Sequence, residues 1–187
     1  MGHDALPPEL AAVRAGARCL ASIDEVGRAC DVLAHDITLH LHDANPLLLC
    51  VMTGGMVPLA LLLERLDFPL QVDYVHLTRY GLDTSGGAIT WIKRPPASIR
   101  GRTVLVVDDI LDHGITLAAL LDECRTMGAA QVCSAVLVTK AMTARAGLQR
   151  ADFSALTLPD AYLFGCGMDY KSYLRNAPGI FAVGASA

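Results

Sequence analysis

Hydrophobic positions recur along the chain with two periods. After Ser22, the residues Val26, Cys30, Leu33, Ile37 and Leu41 follow at intervals of three or four, which puts them on one face of a helix. Ser22-Ile23-Asp24-Glu25 places Ser three residues ahead of Glu, the capping-box arrangement that opens such a helix. An amphipathic helix is therefore predicted to run to about His42. Leu47 to Met52 is an unbroken apolar run between Pro46 and Gly54-Gly55, too short for a stable helix, and it predicts a strand buried on both faces. A helix is expected over Val57 to Leu66, with Pro58 near its start where a missing N–H costs little. Gln71 to Leu77 reads as the next strand. Strand, helix, strand is the grammar of a parallel sheet.

From Thr78 to Arg102 the periodicity dissolves into Gly81, Ser85-Gly86-Gly87, Lys93-Arg94-Pro95-Pro96 and Gly101, with one short strand candidate from Ala88 to Ile92. A stretch of this length inside a compact domain is expected to be a lid or binding loop. Order returns at Thr103 to Val107, followed by Asp108-Asp109 and by a helix that sets Leu117, Leu120, Leu121 and Cys124 on one face, with Gly128 as its C-cap. Gln131 to Thr139 is another buried strand, ending at Lys140. Ala161 to Gly165 and Ile180 to Val183 are short strand candidates. The expected architecture is α/β: an open, mostly parallel sheet with helices on both faces and ligands at the carboxyl ends of its strands.

Composition narrows the function classes. The 187 residues, 53% hydrophobic and 18% charged, are enough for one sizeable core and exclude disorder. A net charge of -4 and the lack of any Lys/Arg run argue against nucleic acid and for a small-molecule partner. Ala44 to Leu63 carries no charge and approaches the length of a membrane span, but Pro46, Gly54-Gly55 and Pro58 divide it, so no membrane partner is expected. The N-terminus lacks the pattern of a signal peptide. The six Cys are scattered without a CxxC pair, as small buried hydrophobes would be, which points to a reducing, cytoplasmic setting without zinc or disulfides.

The chemistry concentrates in Val104-Leu105-Val106-Val107-Asp108-Asp109-Ile110-Leu111-Asp112-His113-Gly114-Ile115-Thr116. A buried strand delivers two carboxylates, and a loop with a third carboxylate, a Gly and a Thr enters a helix. Backbone N–H groups in a Gly turn and at a helix N-terminus bind phosphate, Gly114 lets the main chain approach closely, and Thr116 can donate to a phosphate oxygen. The acids disfavour bare phosphate, so ribose hydroxyls or hydrated Mg²⁺ must stand between them and the ligand. Plainer readings stand beside these: solvated acids at 108 and 109, a helix N-cap at Asp112, an ordinary exposed Lys140, and a core aromatic at Tyr162.

The pattern of four apolar residues, two acids, two apolar residues, Asp, any residue, Gly, any residue, Thr resembles the signature of the type I phosphoribosyltransferases, which bind phosphoribosyl pyrophosphate (PRPP). The resemblance runs from about Leu33 to the C-terminus. Met52-Thr53-Gly54-Gly55 is similar to the pyrophosphate loop of the hypoxanthine-guanine branch, where a cis peptide is expected between Met52 and Thr53. Thr78-Arg79-Tyr80-Gly81 is similar to the start of its mobile flap, Pro159-Asp160-Ala161-Tyr162-Leu163 to its base-stacking segment, and Gly167-Met168-Asp169-Tyr170 through Arg175 to its metal and pyrophosphate segment.

The resemblance implies the following expectations. A single domain over residues 1–187 has a core at about 30–165, a flap at about 78–102, a base-binding segment at about 159–187 and a small hood from the terminal segments. Asp108 and Asp109 hold the ribose hydroxyls, and Asp112 handles the proton at purine N7. Asp112 also belongs to the ribose-phosphate-binding loop with His113, Gly114, Ile115 and Thr116, which cradle the 5′-phosphate. Thr53, Gly54 and Arg175 hold pyrophosphate. Lys140, Tyr162 and Leu163 bind the base, and Arg79 and Tyr80 belong to the flap. Asp169, with Asp108 and Asp109, serves Mg²⁺. The partners are PRPP and a 6-oxopurine, in a homo-oligomer, dimer or tetramer. The alternatives are a xanthine-preferring or other nucleobase transferase, and a nucleotide-sensing regulator without turnover. The chain departs from the family at His113, where Thr or Ser is frequent, at Ile115, where some members have Lys, and at Thr53, where some also have Lys.

Overall fold

The computed structural model describes residues 7–79 and 89–184. In chain order the elements are α1 (Pro8–Gly16), β1 (Arg18–Ser22), α2 (Ile23–Leu41), β2 (Leu47–Met52), α3 (Met56–Leu63), β3 (Gln71–Arg79), β4 (Ile89–Lys93), a 3₁₀ turn (Ala97–Ile99), β5 (Thr103–Leu111), α4 (Ile115–Thr126), β6 (Gln131–Ala141), β7 (Phe153–Pro159), β8 (Leu163–Phe164) and β9 (Gly179–Ala182). The main sheet has the order β4-β3-β2-β5-β6-β7. Its neighbours pair in parallel except β4, which runs antiparallel to β3.

The apolar runs of β2 and β5 are explained by what lies on each side. Successive strand residues face opposite ways. Leu49, Val51, Val104 and Val106 pack with Leu117, Leu120, Leu121 and Cys124 of α4. Leu48, Cys50, Leu105 and Val107 pack with Leu33, Ile37 and Leu41 of α2 and Leu59 and Leu62 of α3. Each such fully buried side chain contributes about 1.5–3 kcal/mol, which keeps β2 and the Val104–Val107 stretch of β5 apolar. The capping box of α2 forms as expected, with Ser22 and Glu25 bonded reciprocally.

A second, three-stranded antiparallel sheet, β1-β9-β8, joins the two ends of the chain. Ala21, Leu163, Ile180 and Ala182 pack against Val26 and Cys30 of α2 and Leu137, Val138 and Leu158 of β6 and β7. This sheet brings the C-terminal segment over the carboxyl ends of β5 and β6.

Three features differ from the sequence reading. β5 continues past Val107 to Leu111, so the two acids lie within the strand. β3 continues to Arg79 and pairs with β4, which makes part of the expected 78–102 flap sheet; Tyr80 lies outside the described residues, as does the side chain of Arg79. α1, β1 and β7 were not predicted: α1 buries only Leu10, and β7 alternates imperfectly, so neither carries a strong period. Of the six cysteines, Cys30, Cys50, Cys124 and Cys166 are buried, as the apolar patterns around them predict, Cys133 is half-buried and Cys19 is exposed on β1. Among the described residues no helix is long and apolar enough to cross a membrane.

Candidate active site

The carboxyl half of β5 sets the site. Asp109 N–H donates to Asp108 Oδ1 at 2.9 Å, which turns the first carboxylate back along the strand. Burial pushes the Asp108 carboxyl well above the ordinary range, and the neighbouring Asp109 charge pushes it further. Burial also raises Asp109, partly offset by its bond with Asp108 and by the Arg175 charge. Two largely buried acids side by side repel each other, and a cation or hydrogen-bond donors brought to them would relieve that repulsion.

The loop after β2 closes on Asp109. The Met52–Thr53 peptide is cis, as expected, and Thr53 is exposed while Gly54 is buried. Any Cβ at Gly54 would overlap the Asp109 carboxylate, so only glycine allows this approach. From the other side Gly167 lies against the Gly54 carbonyl. Arg175 ties these segments together: Nη1 donates to Gly167 O at 2.6 Å, Nη2 meets Asp169 Oδ1 at 2.8 Å, and Nη1 lies 3.8 Å from Asp109 Oδ2. Asp169 Oδ2 also accepts from Ser172 N–H at 2.7 Å.

The donors around Arg175 are hard carboxylate oxygens, the kind Mg²⁺ prefers. Among the described residues no three acidic, imidazole or thiol side chains converge on one point. Mg²⁺ typically takes one or two carboxylates and completes its shell with water and substrate phosphate oxygens, and Asp109 and Asp169, bridged by Arg175, fit that role.

Beyond Asp112, Gly114 takes φ 75° in the left-handed region and α4 starts at Ile115. A cleft of about 260 Å³ opens here, lined by Asp108, Asp109, Asp112, His113, Gly114 and Thr116 among others. The first N–H groups of α4 have no partners within the helix and bear its positive end, so the cleft suits an anion. His113 is exposed.

An adjoining cleft of about 260 Å³ shares Asp109, Ile110 and Asp112 and adds Lys140, Tyr162, Leu163, Met168 and Asp169. Lys140, at the end of β6, is only 12% exposed, and its ammonium lies 3.3 Å from both Asp112 Oδ2 and Asp160 Oδ1. Asp112 Oδ1 is buried with no hydrogen-bond partner among the described residues. Tyr162 is 55% exposed and stands edge-on to Tyr170, with ring centroids 5.5 Å apart. Leu163 is buried in β8.

The structure thus gathers Gly54, Asp108, Asp109, Asp112, His113, Gly114, Ile115, Thr116, Lys140, Tyr162, Leu163, Asp169 and Arg175 around two joined clefts, with Thr53 exposed beside Gly54. Sequence reasoning missed Asp160 as the second partner of Lys140, Met168 as part of the floor, and Ile110, whose outward position follows from the strand continuing past the acids.

Residues 20–172 match the family described as phosphoribosyl transferase domain. The chain belongs to this family. The match spans both clefts and ends before Arg175. The phosphoribosyltransferase is 32% identical over 162 residues to the hypoxanthine-guanine phosphoribosyltransferase of Bacillus subtilis, covering 86% of this chain and 89% of that one. It is 32% identical over 161 residues to the hypoxanthine-guanine-xanthine phosphoribosyltransferase of Tritrichomonas foetus, covering 86% and 88%. A solved hypoxanthine-guanine-xanthine phosphoribosyltransferase superposes with a TM-score of 0.81 at 30% identity, covering 90% of this chain and 97% of that one. In this phosphoribosyltransferase the glycine turn before α4, the paired acids and Lys140 line two clefts that share Asp109, Ile110 and Asp112.

Proposed function

We propose that this phosphoribosyltransferase moves the 5-phosphoribosyl group of PRPP to N9 of hypoxanthine or guanine, giving IMP or GMP and pyrophosphate. The observation that carries the reading is that one cleft is lined by both Lys140 and Asp112, with the ammonium 3.3 Å from Asp112 Oδ2. A 6-oxopurine in its N7–H form answers both: its carbonyl accepts from Lys140 while N7–H donates to Asp112.

The roles follow from placement. Amides at Gly114 to Thr116 take the 5′-phosphate, with His113 and Thr116 as side-chain donors. Asp108 and Asp109 accept from the ribose hydroxyls. Thr53, Gly54 and Arg175 take the pyrophosphate. Tyr162 covers one face of the base above Leu163. Asp169, with Asp108 and Asp109, would hold Mg²⁺, whose chemistry would be to neutralise charge on the pyrophosphate. The bond from C1 to the pyrophosphate oxygen breaks as N9 bonds to C1, and Asp112 takes the N7 proton. Alignment of the two reactants supplies much of the acceleration, and the segment from Thr78 to Arg102, with Arg79 and Tyr80, is assigned to excluding water.

We assign a reducing, cytoplasmic setting, which cysteines scattered without a CxxC pair suit. We assign a homo-oligomer, dimer or tetramer. Met56 and Leu63 on α3, Val72 and Tyr74 on β3 and Ile92 on β4 are exposed, and an apolar set of this kind suits a subunit interface.

Incubation with PRPP, Mg²⁺ and hypoxanthine, guanine, xanthine or adenine, followed by chromatography of the nucleotides, tests the reading. IMP and GMP are expected, with almost no AMP. Xanthosine monophosphate as the main product would select the xanthine-preferring alternative, and no nucleotide from any base would favour a regulator.

A further inference from the structure

We propose that Arg145 is a positioning residue that fixes the distance between the phosphate-binding turn and the base-binding lysine. The inference rests on the functional reading above. Arg145 lies in the irregular segment between β6 and β7 and touches neither cleft. Its guanidinium donates to three main-chain carbonyls from three places: Nε to Asp112 O at 2.8 Å, Nη1 to Gln149 O at 3.0 Å, and Nη2 to Lys140 O. Among the described residues it has no carboxylate partner.

The segment around Arg145 is built to hold that grip. Arg145 N–H donates to Gln149 Oε1 at 3.2 Å, and Gln149 Nε2 donates to Arg145 O at 2.6 Å and Gly147 O at 2.8 Å. Gly147 N–H donates to His113 O and Leu148 N–H to Gly114 O, both at 3.0 Å. A Cβ on Gly147 would overlap Gly114, and one on Gly114 would overlap Leu148, so the two backbones lie in direct contact. The segment is therefore a brace against the back of the phosphate turn, and Arg145 joins that brace to the main chain of both Asp112 and Lys140.

The consequence is geometric. The Lys140 ammonium faces the base cleft, and the amides after Asp112 face the phosphate cleft. With both carbonyls held by one rigid, planar group, the separation of those donors is set before ligand arrives. A ligand touching both ends gains from a correct separation; a ligand touching one end does not. GMP spans both ends, and PRPP contacts only the phosphate, ribose and pyrophosphate positions.

Calorimetric titration of PRPP and of GMP, each with Mg²⁺, into wild type and Arg145→Lys decides the matter. Lys keeps the charge but cannot reach three carbonyls at once. PRPP affinity is expected to stay within about threefold while GMP binds about 10- to 100-fold more weakly, the scale of a small misplacement of a binding group. In Arg145→Ala, millimolar guanidinium is expected to restore part of the GMP affinity and ammonium is not. Equal weakening of both ligands, or no weakening of GMP in a variant with wild-type circular dichroism, would overturn the proposal. A wild-type chain that binds PRPP but not GMP would instead refute the base pocket, and the spacing role with it.

Discussion

Replacing Asp112 with Asn separates the chemical role of this residue from its structural one. The carboxylate makes one ion pair, 3.3 Å from Lys140, and its side chain is 39% exposed. Lys140 is only 12% exposed, but it keeps Asp160 on its other side, 3.3 Å away, so the substitution leaves no unpaired ammonium. Asn can still accept a hydrogen bond, and the turn is braced through the Asp112 carbonyl rather than its side chain, so fold and PRPP affinity should survive. What Asn cannot do is take a proton. General acid-base catalysis contributes about 10²–10⁴-fold, equivalent to roughly 2.7–5.4 kcal/mol of barrier. The expected result is a PRPP dissociation constant within about threefold of wild type and turnover reduced by about two to four orders of magnitude, read by single-turnover formation of GMP beside calorimetric titration of PRPP. Full turnover would leave Asp112 a structural residue, and parallel loss of PRPP affinity would mean that the substitution disturbs the phosphate turn.

Lys140→Met removes the donor to the 6-oxo group and is expected to lower kcat/KM for guanine by about 10- to 150-fold, from the roughly 1.5–3 kcal/mol of a hydrogen bond to a charged group; steady-state kinetics should show PRPP affinity almost unchanged, and unaltered guanine kinetics would remove Lys140 from the base pocket. Because burial and Asp109 raise the Asp108 carboxyl in the folded chain, the folded state binds more protons than the unfolded one between the two pKa values, so the unliganded protein should lose stability as pH rises through that window. Thermal melts of Asp108→Asn should lack this contribution and show a higher Tm at neutral pH, whereas identical pH profiles would show that Asp108 is not strained. Burial pushes the thiols of Cys30, Cys50 and Cys124 up to about 11, leaving about one part in a thousand as thiolate at pH 8; an aromatic disulfide reagent should label Cys19 quickly and these three only on unfolding, and fast labelling of more than one site beside Cys133 would contradict the burial.

The parts of the fold legible in the sequence were those where burial imposes a period. The one-sided spacing of Val26, Cys30, Leu33, Ile37 and Leu41 and the two-sided burial of Leu47 to Met52 could hardly be read otherwise. β7 escaped because it is an edge strand with Ser, Thr and Ala among its residues, and α1 because it rests on one buried leucine. The end of β5 was misjudged for a physical reason. Two adjacent acids look like the end of a buried strand, yet Asp108 to Leu111 keep pairing with β6, and the cost of desolvating the acids appears as raised pKa values instead of as a turn.

In the site, residues that follow one another along the chain were readable and residues joined across space were not. Asp108 to Thr116 announce themselves as strand, acids and glycine turn. The bridge from Arg175 to Asp109 and Asp169, the second carboxylate on Lys140, and the grip of Arg145 on three carbonyls depend on which segments the two sheets bring together. A lone Arg in an irregular segment carries no period and no motif, so its role appears only when the carbonyls around it are placed.

Asp108 and Asp109 are proposed to receive the sugar of PRPP, and calorimetric titration of PRPP with Mg²⁺ into wild type and the Asp108→Ala/Asp109→Ala variant measures their contribution. Hydrogen bonds to charged groups are worth about 1.5–3 kcal/mol each, so the variant is expected to bind at least about 100-fold more weakly while keeping its fold, with a thermal midpoint no lower than that of wild type because two strained acids are gone. A variant that binds PRPP as tightly as wild type would contradict that assignment.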